Sequence, residues 1–229
     1  LSGGSGCGKT TITRLINGLI PGFYPGELSG TIKIDGEDIA GREPHELATQ
    51  IGSVFQNPRT QFFNTDTDSE IVFGLENRML DTEELKQQLE RVVTDLHIEK
   101  LRGCSIFDLS GGEKQKIAFA SVYAAEPEIF VLDEPSSNMD YHSIKELSEL
   151  IKKIKLQGKT IVIAEHRIWY LMNIADRVIF MENGKIAHDM DIKTFVDLPE
   201  VQIKSMKLRC RNLADAKAET VTVSPDVSV

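Results

Sequence analysis

The chain has 229 residues, which suffices for one large domain or for a core domain with an inserted subdomain. Its 35 acidic against 26 basic residues give a formal net charge of −9, which argues against a nucleic-acid-binding surface because such surfaces are basic. No run of the sequence approaches the ~18 apolar residues of a membrane-spanning helix, and three cysteines without metal-ligand spacing are typical of a reducing cytosol.

A glycine-rich phosphate-binding pattern stands at the start of the chain. Residues 3–10 read Gly-Gly-Ser-Gly-Cys-Gly-Lys-Thr and fit G-x-x-x-x-G-K-[ST]. In this pattern backbone amides cradle phosphates, Lys9 reaches the β- and γ-phosphates, and Thr10 binds Mg²⁺. Cys7 occupies a position that the pattern leaves free, and we assign it no catalytic role.

The helix after this loop is predicted from Thr10 to about Leu19, ended by Pro21-Gly22. A P-loop normally lies between a strand and a helix, and Leu1 is all that precedes it here. We therefore expect the chain to lack the N-terminal strands of its sheet.

Two short strands are predicted next. Gly30–Ile39 alternates apolar and polar residues, which indicates a half-exposed antiparallel strand with a turn at Asp35-Gly36. Ile51–Gln56 reads as a short buried strand that ends at Gln56.

Residues 57–126 are predicted to be helical. In Glu70–Leu80 the apolar residues, Met79 among them, recur at helical spacing, and a second apolar stripe runs over Leu85–Leu96 with a capping residue at Asp81.

Towards its end, this helical region contains the sequence Leu-Ser-Gly-Gly-Glu-Lys-Gln-Lys at residues 109–116. Ser110 followed by Gly111 and Gly112 is typical of a helix N-terminus, where accessible amides and the helix dipole favour an anion. The apolar run Ile129–Leu132 then predicts a strand buried in a parallel sheet. It delivers Asp133 and Glu134 to its carboxyl end, where open α/β sheets bind ligands.

The remaining segments continue the sheet. Ile161–Ala164 and Val178–Met181 are apolar runs that predict further buried parallel strands, and Asn183-Gly184 predicts a hairpin turn. Beyond Lys207 the chain is polar and irregular, with weak alternation at Thr220–Ser224.

The P-loop, the Leu-Ser-Gly-Gly-Glu-Lys-Gln sequence and the Asp-Glu pair after an apolar strand together resemble the ATPase domain of the ABC (ATP-binding cassette) family, from Leu1 to about Lys207. The resemblance implies an α/β fold with a P-loop NTPase core, a mainly parallel sheet, a small antiparallel portion and an inserted helical subdomain. The core would comprise residues 1–56 and 127–207, and the helical subdomain residues 57–126. Residues 208–229 would be a tail or a linker to a second domain.

The resemblance implies ATP and Mg²⁺ as ligands and gives each site residue a role. Glu134 would be the general base, His166 would sense the γ-phosphate, and Gln56 would contact Mg²⁺ and the attacking water. On its own, Gln56 would be interpreted as a surface or capping amide and His166 as a core histidine. The Mg²⁺ ligands would be Thr10, Gln56 and Asp133, and the nucleotide would contact Gly3, Gly4, Ser5, Gly6, Cys7, Gly8, Lys9, Thr10, Thr11, Ser110, Gly111, Gly112 and Asp140.

In the family, the Ser-Gly-Gly turn closes over the ATP of a second, facing domain, so that two domains sandwich two nucleotides. The implied partner is another ABC ATPase domain, identical, paralogous or fused in the same chain, and Asp140 resembles part of the loop between subunits. Differential affinity of ATP for the closed state would drive the motion.

Three segments are similar to ATPases of energy-coupling-factor importers, which take up vitamins or metal ions: Asn17–Gly30, Phe55–Phe63 and Ala164–Arg167. This implies a short helix near Arg59–Phe63 that faces a transmembrane coupling protein, and a peripheral location at the cytoplasmic face of the cell membrane. An ABC ATPase without a membrane partner stays open as an alternative, to be separated by co-purification. A non-hydrolytic nucleotide-binding module is the other alternative, against which Glu134 argues.

Overall fold

The architecture is that of a computed structural model, which describes residues 1–76, 80–206 and 208. The predicted tail at 208–229, including Thr220–Ser224, lies outside the described residues except for Leu208. Within the described part, the strands are β1 Ser2–Gly3, β2 Lys33–Ile34, β3 Glu37–Asp38, β4 Ile51–Val54, β5 Ile129–Asp133, β6 Thr160–Ala164, β7 Arg177–Glu182 and β8 Lys185–Asp191. The α-helices are α1 Lys9–Ile16, α2 Leu19–Gly22, α3 Pro44–Leu47, α4 Thr67–Glu76, α5 Thr82–Leu96, α6 Gly111–Ala124, α7 Tyr141–Leu156, α8 Ile192–Val196 and α9 Glu200–Ser205.

Parallel strands form the centre of the molecule. β5 lies between β4 and β6 and is parallel to both, while β7 is parallel to β1 and antiparallel to β8. Leu1 links the β4–β5–β6 strands to the β1–β7–β8 strands. Its nitrogen donates to the Ile163 carbonyl at 2.6 Å, and its carbonyl accepts from the Glu165 amide at 2.9 Å. The carboxyl ends of β1, β4, β5 and β6 therefore lie along one edge. The predicted parallel strands are confirmed, and so is the hairpin after β7, but Ile161–Ile163 of β6 are half-buried rather than buried.

Two predicted boundaries near the N-terminus are wrong. The helix after the P-loop ends at Ile16 rather than near Leu19, because Gly18 adopts a left-handed φ of 72°. A side chain at this glycine would also collide with Leu47, 2.5 Å from the position of its Cβ. Gln56 lies two residues beyond the end of β4 rather than within the strand.

The predicted antiparallel segment is a hairpin whose two-residue strands, β2 and β3, are joined at Asp35-Gly36.

Residues 57–126 hold α4, α5 and α6 between β4 and β5, with short 3₁₀ turns. The capping of α5 is confirmed, since Asp81 and Glu84 bind each other's backbone amides. The predicted helix over Glu70–Leu80 ends at Glu76, and Met79 lies outside the described residues. The short helix expected near Arg59–Phe63 is a 3₁₀ turn over Pro58–Thr60.

Helix α6 is the centre of this helical region. It is buried on nearly all sides, against α4, α5 and β4, as expected for a helix that lacks a polar face. Its first turn carries the Ser-Gly-Gly sequence, so the packing of α6 sets where that turn points. In the part of the chain that the structure describes, no helix is long and apolar enough to cross a membrane.

Candidate nucleotide-binding site

The loop between β1 and α1 has the backbone geometry of a phosphate cradle. Gly6 and Gly8 adopt left-handed φ values of 73° and 103°, and no side chain caps the N-terminus of α1. Its amides are therefore accessible to an anion, which the helix dipole also favours. Gly3 admits no side chain, because a Cβ there would lie 2.3 Å from the Met181 carbonyl oxygen.

Lys9 is buried beneath this loop. Its ammonium group donates to the carbonyls of Gly3 at 3.1 Å and Gly4 at 3.0 Å, and it lies 3.2 Å from Nε2 of His166. The Cys7 thiol is also buried, with Sγ 3.8 Å from the ammonium nitrogen. A positive charge thus lies directly under the loop amides, where it would neutralise phosphate oxygens. Of the other predicted contacts, Ser5, Gly6 and Thr11 are exposed, and Gly4, Gly8 and Thr10 are half-buried.

Asp133 ends β5 and is buried, with 5% of its surface exposed. Burial is the main reason that the pKa of Asp133 is raised. A hydrogen bond with Thr10 opposes the rise, and the negative charge of Glu134 adds to it. Its Oδ1 atom has no hydrogen-bond partner among the described residues. An uncompensated buried carboxylate oxygen beside a hydroxyl is what an oxygen-liganded cation requires.

The donor set at this position fits Mg²⁺ held jointly with a substrate. Among the described residues, no group of three His, Cys, Asp or Glu side chains could hold a metal ion. Mg²⁺ is usually held by one or two carboxylates together with substrate phosphates and water. Asp133 and Thr10 could supply the protein's share of such a site.

Glu134 is the point where three strand ends meet. Its Oε2 accepts from Nε2 of Gln56 at 2.8 Å, and its Oε1 lies 3.0 Å from Nε2 of His166. Its φ of 46° is uncommon for a residue with a side chain, and its amide donates to the Ala164 carbonyl at 2.8 Å. The three residues predicted to be catalytic are therefore brought together. The Mg²⁺ contact of Gln56 stays a prediction, because the amide nitrogen binds Glu134 here.

The Ser-Gly-Gly turn lies elsewhere. Ser110 caps α6, its Oγ accepting from the Glu113 amide at 3.3 Å while the Glu113 carboxylate accepts from the Ser110 amide at 2.8 Å. Ser110 and Gly111 are exposed, and a Cβ on Gly111 would lie 3.4 Å from Cβ of Asn138. No hydrogen bond within residues 1–76, 80–206 and 208 joins this turn to the P-loop.

Asp140 is also exposed, and its side chain stabilises the N-terminus of a helix. It caps α7 by accepting from the Ser143 amide at 2.8 Å, and this hydrogen bond lowers the pKa of its carboxyl group. Its side chain is thus fixed at the surface, two residues after Asn138. The turn at Ser110 and the cap at Asp140 lie on adjoining segments of the surface.

Sequence reasoning missed a buried polar cluster next to His166. Glu165 is 3% exposed, and it accepts from the hydroxyl of Tyr170 at 3.0 Å. Tyr170 is itself buried, and its hydroxyl is hydrogen-bonded to this carboxylate. The available signal was a glutamate at the end of an apolar strand, where a buried charge needs partners.

Comparison with known proteins agrees with the nucleotide-binding geometry of this site. Residues 1–137 match the ABC transporter family. The whole chain is 79% identical over 229 residues to a putative ABC transporter ATP-binding protein of Treponema denticola, of which it covers 47%. The chain thus spans about half the length of the curated relatives it matches.

Two solved structures share the fold. CbiO1 of Clostridium perfringens, described as part of the ABC transporter complex CbiONQ, superposes with a TM-score of 0.74 at 30% identity, over 88% of this chain and 80% of that one. An ATP-binding cassette in a dimeric post-hydrolysis state, bound to ADP and Pi, superposes with a TM-score of 0.73 over 83% of each chain. At 23% identity, this second likeness shows the fold alone.

Proposed function

The chain belongs to the ABC transporter family of ATP-binding domains, and we propose that it binds and hydrolyses ATP to power a membrane importer of the energy-coupling-factor type, which takes up a vitamin or a metal ion. The observation that carries the ATPase assignment is the convergence on Glu134 of Gln56 at 2.8 Å and His166 at 3.0 Å, with Lys9 another 3.2 Å beyond His166. Gln56, Glu134 and His166 follow three different strands, and Lys9 is the first residue of α1. Their meeting at one phosphate cradle supports phosphoryl transfer.

The chemistry divides among the residues of this site. The P-loop amides and Lys9 would bind the β- and γ-phosphates, and Thr10 and Asp133 would hold Mg²⁺, which neutralises the charge that develops on the phosphates. Glu134 would take a proton from the attacking water as the water oxygen bonds to the γ-phosphorus and the bond to the β-phosphate oxygen breaks. His166, beside both Glu134 and Lys9, would keep the γ-phosphate aligned with the base.

A second ATPase domain is the first proposed partner. Ser110 and Gly111 are exposed and make no hydrogen bond to the P-loop, in agreement with a turn that completes the pocket of a facing domain. The relative from Treponema denticola is about twice as long as the matched region, which leaves length in that protein for a further domain.

A transmembrane coupling protein is the second proposed partner, at the aromatic patch formed by Phe63 and Phe107. Each is 76% exposed, and the ring of Phe63 stacks on Phe73 with centroids 4.9 Å apart. They line one cavity of about 440 Å³ together with Arg59 and Lys114. Exposed aromatic clusters of this kind mark interaction sites. Such a partner would place the chain peripherally at the cytoplasmic face of the membrane.

The ATPase assignment is tested by Glu134→Gln. We expect the turnover of Mg²⁺-ATP to fall at least ~100-fold, because general-base catalysis contributes about that much, while the affinity for ATP is retained. Glu149→Gln makes the same chemical change at an exposed position of α7 and should hydrolyse ATP at the parent rate. Parent-like turnover by Glu134→Gln would show that another group activates the water.

The importer assignment is tested by purification from membranes. The parent should retain a membrane protein that Phe63→Ser and Phe107→Ser lose, since each removes an aromatic ring from the patch. Phe23→Ser is the matched control, because Phe23 is 73% exposed outside the patch. If the parent retains no membrane protein, the alternative of an ABC ATPase without a membrane partner is favoured.

A further inference from the structure

A buried carboxylate next to the site holds two chain segments together. Oε1 of Glu165 accepts from the backbone amides of His166 at 2.7 Å and Arg167 at 2.9 Å. Oε2 accepts from the Ser136 hydroxyl at 2.7 Å, the Ser136 amide at 3.4 Å and the Tyr170 hydroxyl at 3.0 Å. Both oxygens are thus used, each by donors alone, as a carboxylate with 3% exposure requires.

The two segments are the switch segment, residues 165–170, and the connecting loop, residues 136–140, which lies between β5 and α7. A second side chain of the switch segment also binds this loop, because Nη1 of Arg167 donates to the carbonyls of Ser136 at 3.3 Å and Met139 at 3.2 Å. The loop is therefore held through its amide, hydroxyl and carbonyl groups. A shift of either segment relative to the other would break several of these hydrogen bonds together.

The switch segment and the connecting loop each reach a functional group. His166 follows Glu165 directly, and its imidazole lies 3.0 Å from Glu134. In the connecting loop, Asn138 lies against the Ser-Gly-Gly turn, its carbonyl oxygen 3.6 Å from where a Cβ on Gly112 would be. Glu165 therefore lies between the hydrolytic residues and the surface proposed to meet a second domain.

We infer that Glu165 is a positioning residue of the ATPase site, which fixes His166 over Glu134 and ties that position to the connecting loop. The inference rests on the proposed ATPase function. Glu165 contacts no reacting atom and acts through the backbone of His166. A displacement of about 1 Å in such a site costs on the order of 100-fold in rate, so losing the clamp should lower kcat far more than it weakens ATP binding.

Glu165→Gln tests the inference with little change of shape. The amide replaces one acceptor oxygen with an NH₂ group, which would face either the two backbone amides of the switch segment or the amide of Ser136. We expect kcat to fall about 10- to 100-fold, with KM for ATP within about twofold of the parent. Tyr170→Phe removes one donor and should lower kcat only a few-fold, and Glu149→Gln should change nothing.

Trp169 gives a second readout that does not depend on turnover. It is the single tryptophan of the chain, its ring stacks on Tyr141 just after the connecting loop at 5.5 Å, and it meets Tyr170 edge-on at 5.8 Å. In Glu165→Gln we expect red-shifted Trp169 emission and stronger quenching by acrylamide. If this variant does not fold, the double change Ser136→Ala with Tyr170→Phe removes two donors, and the same loss of kcat and the same spectral change are expected.

The outcomes separate this inference from the proposed function. A parent chain that fails to hydrolyse Mg²⁺-ATP overturns the ATPase proposal, whereas the Trp169 spectra still test the clamp. An unchanged spectrum in Glu165→Gln overturns the inference. So does a kcat within twofold of an active parent, or a rise in KM that matches the fall in kcat, since that pattern indicates general disruption of the site.

Discussion

Asp133→Asn should stabilise the metal-free protein while weakening its response to Mg²⁺-ATP. Asp133 has 5% of its surface exposed, and burial raises the pKa of its carboxyl group because it disfavours the charged form. The Oδ1 atom has no partner among the described residues to offset that cost. Replacing the carboxylate by an amide of the same shape removes the charge and leaves the packing in place.

The expected gain follows from the size of such effects. A buried polar group left without a partner costs about 1–3 kcal/mol, and more when it is charged, so replacing the carboxylate by a neutral amide should gain about 1 kcal/mol. For a chain of this length, that is a rise in Tm of about 2–4 °C. Thermal unfolding in EDTA without nucleotide measures it.

The gain should depend on pH. Below the ordinary value of 3.8, Asp133 is protonated in both folded and unfolded states and costs nothing. As the pH rises through the raised folded pKa, the parent loses stability because the unfolded chain ionises more easily. The advantage of Asp133→Asn should therefore grow as the pH rises from 3.8 towards the raised folded pKa, and it should shrink as the pH falls towards 3.8.

Two comparisons decide whether this reasoning holds. Glu149→Gln removes an exposed negative charge and should leave Tm within about 1 °C, since such surface changes are worth little. Mg²⁺-ATP should raise the Tm of the parent more than that of Asp133→Asn, because Asp133 is a proposed Mg²⁺ ligand. A lower Tm for Asp133→Asn than for the parent in EDTA would refute the view that the buried charge is a cost.

Two further predictions concern the dimer surface and the core. Ser110→Arg should spare ATP binding by a single domain but stop turnover, because the side chain would block the facing domain; unchanged turnover would contradict the sandwich arrangement. Gly52→Ala should destabilise the fold by about 1–3 kcal/mol in urea titrations, because its Cβ would lie 2.4 Å from Val122 and 2.6 Å from Pro127. Gly74→Ala meets no atom within 4 Å in α4 and should instead stabilise by about 0.5–1 kcal/mol, so equal losses in both variants would refute the steric reason.

Local patterns in the sequence were sufficient for the elements that local chemistry determines. Residues Ile129–Leu132 of β5 are a run of apolar residues that can be buried only in the interior of a sheet, and the cap at Asp81 depends on residues three positions apart. The end of α1 was predicted too late because it depends on Leu47, which lies 29 residues away from Gly18 in sequence and fills the space that a side chain would need. Boundaries set by such distant contacts leave no periodic signal.

Within the site too, local patterns identify some residues, whereas contacts between distant parts of the chain determine others. Gln56 and Glu134 are 78 residues apart, and their hydrogen bond exists because β4 and β5 are parallel neighbours whose carboxyl ends coincide. Motifs identified Glu134 and His166, but a motif names residues that touch the substrate. Glu165 serves a different purpose, since it satisfies donors from two segments 29 residues apart. Its importance follows from burial, because a carboxylate without water must bind every donor within reach and thereby fixes the groups that carry those donors.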